Sequence, residues 1–298
     1  MAAVMKQKKQ QPPNYAKFAF GGLAGMGATF FVQPLDLLKN RMQVAGGRVS
    51  FFTIVGNVIK QEGALALYTG LSAGLLRQAT YTTTRLGVYN MLLDKAMTAS
   101  DGELSFASKA GIGLTAGAVG AVVGTPAEIA LIRMSSDGSR PAAERRGYTS
   151  VFNALSRIAR EEGVLTLWRG CGPTVARAMV VNAAQLATYT QAKQVIKQTF
   201  ELDGIGLHFS ASMVSGLATT AASMPVDILK TRIQNMNYVN GVPEFKGPLH
   251  VASHIVRSEG VFALWKGFLP YYARLGPHTV LTFIILEQLN KAYNTIAA

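Results

Sequence analysis

Pro34-Leu35-Asp36-Leu37-Leu38-Lys39-Asn40-Arg41 decides the fold, because the chain writes it three times. It returns as Pro126-Ala127-Glu128-Ile129-Ala130-Leu131-Ile132-Arg133 and as Pro225-Val226-Asp227-Ile228-Leu229-Lys230-Thr231-Arg232. The prolines stand 92 and 99 residues apart, so the chain is read as copies of one unit of about 100 residues. A second block follows each time: Glu62-Gly63 with Tyr68-Thr69-Gly70, Glu162-Gly163 with Trp168-Arg169-Gly170, and Glu259-Gly260 with Trp265-Lys266-Gly267. Nine residues before each proline stand Gly25, Gly117 and Gly216, and four earlier Gly21, Gly113 and Ser212. This small-xxx-small spacing opens two gaps on one helix face and lets helices approach closely in lipid. Seven residues after each closing glycine comes an arginine: Arg77, Arg177 and Arg274.

Each unit reads as two long apolar helices with an amphipathic segment between. The first helices are expected near 16–43, 106–135 and 208–236, bent at Pro34, Pro126 and Pro225. The second run near 73–97, 173–197 and 270–293. The intervening segments, near 51–60, 151–160 and 249–258, fit surface helices: Val151, Leu155 and Ile158 oppose Arg157 and Arg160. The division expected is a disordered tail over 1–15 and repeats over 16–99, 100–200 and 201–298, packed as one bundle.

Composition agrees with a membrane setting. Charged residues are 15% of the chain and hydrophobic ones 49%, so each charge inside an apolar stretch marks a functional position. A net charge of +13 without a basic run or a nucleic-acid motif speaks for anionic lipids or an anionic substrate, not nucleic acid. The single cysteine, Cys171, excludes an internal disulfide, and the four histidines share no metal spacing. No catalytic dyad appears, so an enzyme is not expected, and no cofactor or metal is called for. The three long loops and adjoining helix ends hold 16 of the 29 Lys and Arg, which favours one side of the membrane for them.

The two blocks, Pro-x-[Asp/Glu]-x-x-[Lys/Arg]-x-[Lys/Arg] and [Asp/Glu]-Gly-x4-aromatic-[Lys/Arg]-Gly, resemble the signature of the mitochondrial carrier family over nearly the whole chain. The resemblance implies an all-α membrane protein: six transmembrane helices in three pseudosymmetric repeats around a cavity, with three short matrix-side helices. It also implies the mitochondrial inner membrane, termini toward the intermembrane space and long loops in the matrix. Two positions depart from the signature, Leu131 and Thr69, where basic residues are expected. Stretches 77–85, 180–186 and 273–279 resemble the members that exchange 2-oxoglutarate for malate. That implies antiport of small dicarboxylates by alternating access, by a carrier working as a monomer. Transport of another small anion (another dicarboxylate, citrate, phosphate) or a proton leak stays open.

Threefold symmetry pairs an acid on one first helix with a lysine on the next, giving Asp227–Lys39 and Glu128–Lys230 as a matrix gate. Asp36 would face Leu131 and need water, a polar neighbour or another cation. Gln43 and Gln234 are expected to brace the ring. A cytoplasmic gate is implied by the family at Tyr89, Tyr189, Lys193 and Glu287, degraded because Asn90, Leu93, Thr190 and Asn290 replace charged residues. Arg77, Arg177 and Arg274, with Arg85 two turns beyond Arg77, have no acid near them in sequence. Guanidinium forks take carboxylates bidentately, so two carboxylates several ångströms apart, a C4–C5 diacid, fit them. Tyr81 and Asn182 are placed to bind a hydroxyl or keto oxygen. The glycine-rich starts of the second helices, beside Arg169 and Lys266, suit lipid phosphates such as those of cardiolipin.

Overall fold

The computed structural model describes residues 14–45, 50–99, 105–200, 204–236, 238–239 and 242–296. Helices run at α1 (Asn14–Val44), α2 (Phe51–Gln61), α3 (Leu71–Arg77), α4 (Thr83–Ala99), α5 (Phe106–Asp137), α6 (Val151–Glu161), α7 (Cys171–Phe200), α8 (Gly204–Asn235), α9 (Pro248–Glu259) and α10 (Phe268–Ile296). A π turn, Gln78–Thr82, joins α3 to α4 without a break. Strands β1 (Tyr238–Val239) and β2 (Val242–Pro243) form a two-residue antiparallel pair, a departure from the all-α expectation. The tail expected over 1–15 lies outside the described residues except Asn14 and Tyr15, which already belong to α1. The long helices neighbour one another in chain order, and α10 returns to α1, so they close into a ring.

By length and apolarity alone, one segment among the described residues, Ser108–Asp137, suffices to cross a membrane. The other long helices carry more polar groups; α7, for one, holds Arg177, Gln185, Thr188 and Lys193. The amphipathic helices bury their apolar stripes under the ends of α1, α5 and α8. Ile54 and Val58 pack on Leu37 and Leu38, and Val151 and Ala154 on Ala130, Leu131 and Met134. Val251 and Ile255 pack on Ile228 and Ile233.

The two sequence blocks turn out to serve each other. Helices α1, α5 and α8 run through Pro34, Pro126 and Pro225. A helical proline lacks the N–H that would bond the carbonyl four residues back. In the second and third repeats that carbonyl accepts a hydrogen bond from an indole of the second block: Trp168 Nε1 to Val122 O at 3.0 Å, Trp265 Nε1 to Ala221 O at 2.9 Å. The first repeat has Tyr68 there, which lies against Phe30 with ring centroids 5.5 Å apart. The glycines of the block turn the chain: Gly63, Gly163, Gly260, Gly70, Gly170 and Gly267 all have φ between +79° and +94°, which a Cβ disfavours.

The last arginine of the first block closes a ring at the helix C-termini. Arg41 Nε donates to Ser135 O (2.9 Å), Arg133 Nε to Gln234 O (3.1 Å) and Arg232 Nε to Gln43 O (3.0 Å). Each therefore caps the next repeat's helix, where the macrodipole is negative. The other edge of each guanidinium pairs with the glutamate of its own second block: Glu62, Glu162 and Glu259. Arg41 holds Glu62 below the ordinary carboxylate pKa of 4.5 against the opposing effect of burial. Burial alone would raise Glu259, but Arg232 and Lys266 outweigh it and hold it low as well. Depressed acids contribute stability that is complete above 4.5 and disappears as pH falls through their lower folded values. Thermal unfolding should therefore give a Tm that drops on the acid side of that value. The double variant Glu62→Gln/Glu259→Gln should unfold earlier at neutral pH and show a shallower acid drop.

Candidate functional site

One level deeper than this cap, α1, α5 and α8 carry a second ring. Lys39 is ion-paired with Asp227, and Lys230 Nζ lies 2.7 Å from Glu128 Oε1. Asp227 is 2% exposed and Lys230 3%, so neither charge has solvent to fall back on. The braces differ. Gln43 Nε2 donates to Asp227 Oδ2 at 3.0 Å, while Gln234 Nε2 reaches Glu128 through the Thr174 hydroxyl. The sector of Leu131 has no ion pair between the α1, α5 and α8 side chains. Leu131 packs against Gly70 and Gly74 instead: a Cβ added at either would lie 3.3 and 3.8 Å from its Cδ1.

Asp36 has the cation that was one of its three expected partners: Arg274 Nη1 sits 2.5 Å from its Oδ1. One expectation needs correction: the three equivalent arginines are not uncompensated. Arg177 Nε is 2.5 Å from Asp227 Oδ1, and Arg77 Nη1 is 3.9 Å from Glu128 Oε1. No acid stands near these arginines on their own helices, and every partner sits in the next repeat. The geometry thus links two sets of residues that the sequence kept apart: each gate acid is also an arginine's partner. The compensation is partial. Among the described residues, the buried Nε of Arg77, Arg177 and Arg274 makes no hydrogen bond, that of Arg177 having only its ion-pair contact with Asp227. Gate and arginines enclose a cavity of about 70 Å³ lined by Asp36, Asp227, Glu128 and the three arginines. Small-molecule sites usually run to about 300–1,000 Å³, so this one is closed down on its own ion pairs.

Arg85 and Tyr81 owe their placement to the π turn. Eight residues of α-helix would turn Arg85 about 80° away from Arg77 at ~3.6 residues per turn. A π turn bonds i to i+5 and takes up one residue without advancing the winding, which returns Arg85 close to the line of Arg77. Arg85 lies over the Tyr81 ring, 5.7 Å from its centroid. Gly120 and Gly124 of α5 make room for this strand of the wall: a Cβ on Gly124 would stand 3.0 Å from Tyr81 Cβ. Asn182 falls in α7, and its side chain lies outside the described residues.

The residues expected at a cytoplasmic gate lie on α4, α7 and α10. Tyr89 lies toward Gly113, Tyr189 packs beside Ala192, Ile196, Leu207 and Ala211, and Lys193 is half-buried. Glu287 pairs with Lys291 on its own helix at 2.8 Å, with its side chain 65% exposed. The sequence reading gave no role to Arg41, Arg133, Arg232, Thr174 or Tyr271. A signal existed for the last two, since Gly74, Thr174 and Tyr271 each stand four residues after the closing glycine and one turn before the arginine.

Three stretches, 10–99, 102–200 and 203–296, match the family described as mitochondrial carrier protein. The chain is similar to the mitochondrial 2-oxoglutarate/malate carrier protein of Homo sapiens, 63% identical over 297 residues, covering 97% of this chain and 94% of that one. The Caenorhabditis elegans protein of the same name is 64% identical over 287 residues, 94% of each chain. The mitochondrial dicarboxylate/tricarboxylate transporter DTC of Arabidopsis thaliana is 45% identical over 293 residues, 96% of this chain and 98% of that one. With its threefold ring, its two signature blocks and these matches along almost all of its length, the chain belongs to the mitochondrial carrier family.

Proposed function

We propose that this carrier exchanges 2-oxoglutarate for malate, or a related dicarboxylate, across the mitochondrial inner membrane by alternating access. One observation carries the reading: three equivalent arginines share the gate's own carboxylates, and each keeps a buried Nε without a hydrogen bond. A dicarboxylate brings the same chemical group that Asp36, Glu128 and Asp227 already offer. Its carboxylates take the guanidinium forks of Arg77, Arg177 and Arg274, with Arg85, Tyr81 and Asn182 reading the rest of the molecule. Each arginine drawn to substrate leaves its acid, and the matrix gate of Asp36, Lys39, Glu128, Asp227 and Lys230 loses support. Substrate binding and gate opening are then one event, and the empty carrier stays shut. That is the condition for exchange rather than leak.

Six spans suit this function. The continuous long helices have 29 to 32 residues, about 45 Å at ~1.5 Å per residue, which exceeds a ~30 Å hydrocarbon core. With two spans in each of the repeats 16–99, 100–200 and 201–298, both termini share one side, which we infer from the family resemblance to be the intermembrane space, with α2, α6 and α9 toward the matrix. The test is uptake of labelled 2-oxoglutarate into liposomes holding the purified protein. Internal malate should be required, and unlabelled C4–C5 diacids should compete where monocarboxylates do not. Uptake indifferent to internal malate would overturn the exchanger.

The missing third pair supplies a further test. Leu131→Lys gives Asp36 a lysine in place of its long reach to Arg274. A pair on the cavity wall that adds ~1 kcal/mol to the closed state, the upper end for exposed pairs, slows opening about fivefold. Initial exchange rates should fall by that factor while Tm rises; a faster rate or a lower Tm would contradict the gate.

A further inference from the structure

We propose that Tyr271 is the positioning residue that ties the substrate arginines to the matrix gate, an inference that rests on the dicarboxylate-exchange reading above. Tyr271 stands in the first turn of α10 and is 5% exposed. Three cations from three helices converge on it. Lys39 Nζ of α1 lies over its ring, 4.4 Å from the centroid. The guanidinium carbons of Arg177 from α7 and Arg274 from α10 lie 5.7 and 5.6 Å from the same point. Its hydroxyl accepts a hydrogen bond from Arg177 Nη2 at 2.7 Å. Lys39 and Arg177 also share Asp227, one carboxylate oxygen each. Asp227, Lys39, Tyr271 and Arg177 therefore form a closed cycle, half of it gate and half of it substrate site.

The equivalent positions explain why one tyrosine suffices. Gly74 admits Leu131 and Gln33 in the sector without an ion pair. Thr174 bonds Glu128 and receives Gln234 in the second. Of these three equivalent positions the third alone is aromatic, and a lysine and two arginines lie over its ring. An aromatic face attracts cations without adding a charge that would compete with an anionic ligand. The phenol thus performs two separable tasks. Its hydroxyl orients the Arg177 fork when a substrate carboxylate takes the place of Asp227. Its ring holds Lys39 and Arg274 together in the closed gate.

Two variants separate the tasks. Tyr271→Phe keeps the ring and loses the hydroxyl, so the KM for 2-oxoglutarate should rise about tenfold, the low end for a hydrogen bond to a charged group. Its maximal rate should stay within about twofold, because binding alone is weakened. Tyr271→Thr, the residue of the second repeat, keeps a hydroxyl and loses the ring. It should pass label into liposomes without internal malate, whereas Tyr271→Phe stays coupled. Thermal unfolding of both purified variants runs beside the assay. An unchanged KM in Tyr271→Phe overturns the proposal, as does strict coupling in Tyr271→Thr. Equal losses of rate and Tm in both variants, with KM unmoved, also overturn it, since that is a packing role. The unsubstituted protein in the same liposomes keeps the two readings apart. If it fails to exchange, the function proposed above falls; if it exchanges and the variants behave like it, Tyr271 alone is misassigned.

Discussion

Asp227→Asn will be the most destabilising single change in the gate, lowering stability by about 3 kcal/mol, because breaking a buried pair strands its partners. Asp227 neutralises two cations at once, Lys39 and Arg177, and accepts from Gln43 as well. At 2% exposure none of that charge can be handed to water. The corresponding fall in Tm is on the order of 10 °C for a chain of this size. The three acids should rank. Glu128→Gln loses a tight lysine contact at 2.7 Å and a loose arginine at 3.9 Å, so it should cost less. Asp36→Asn releases only Arg274 and should cost least. Adding Lys39→Met to Asp227→Asn should recover part of the loss, since removing both partners costs less than removing one. Thermal unfolding of the purified variants gives the order directly. If Asp36 proves costlier than Asp227, the ring is not closed by its two lysines.

Arg177→Ala should lower kcat/KM for 2-oxoglutarate about 100-fold, within the range for truncating one partner of a buried charge pair. Arg177 meets both Asp227 and Tyr271, so it holds the best-defined geometry of the three arginines. Arg177→Lys should recover only a minor part, because an ammonium is a point charge without the planar fork that matches a carboxylate. Arg85→Ala should be milder. Its partner is the Tyr81 ring, and it stands two turns from the level where the acids compete. Initial rates over a range of substrate concentrations separate these cases. Equal effects at Arg85 and Arg177 would move the carboxylate site up toward α4.

The repeat made the fold legible. Pro34, Pro126 and Pro225 placed the long helices to within a few residues, and alternation of apolar and basic side chains placed α2, α6 and α9. The Lys39–Asp227 and Lys230–Glu128 pairs were also readable, because threefold symmetry converts a position in one copy into a neighbour in the next. What stayed hidden depends on contacts that a repeat motif does not specify. Asp36 with Arg274 joins a first helix to the second helix of another repeat, a relation all three copies share but one that no spacing in sequence encodes. The indole bonds of Trp168 and Trp265 required seeing that a signature aromatic has an N–H to give and that a proline leaves a carbonyl to receive it. The π turn is hidden because Gln-Ala-Thr-Tyr-Thr carries no residue that breaks an α-helix. Arg41, Arg133 and Arg232 were visible as motif letters, yet their role as caps appears only where helix ends meet.

Under the proposed function a dicarboxylate opens the carrier by drawing Arg77, Arg177 and Arg274 off Glu128, Asp227 and Asp36. Nitroxide labels at Asn57→Cys on α2 and Ser253→Cys on α9, both exposed, report the separation of these two helices. Cys171→Ser removes the native thiol. Pulsed dipolar spectroscopy on this protein in liposomes should show a longer-distance population when 2-oxoglutarate is added, and no such shift once Arg177→Ala is introduced. A distance distribution that ignores 2-oxoglutarate in an actively exchanging carrier would contradict the account.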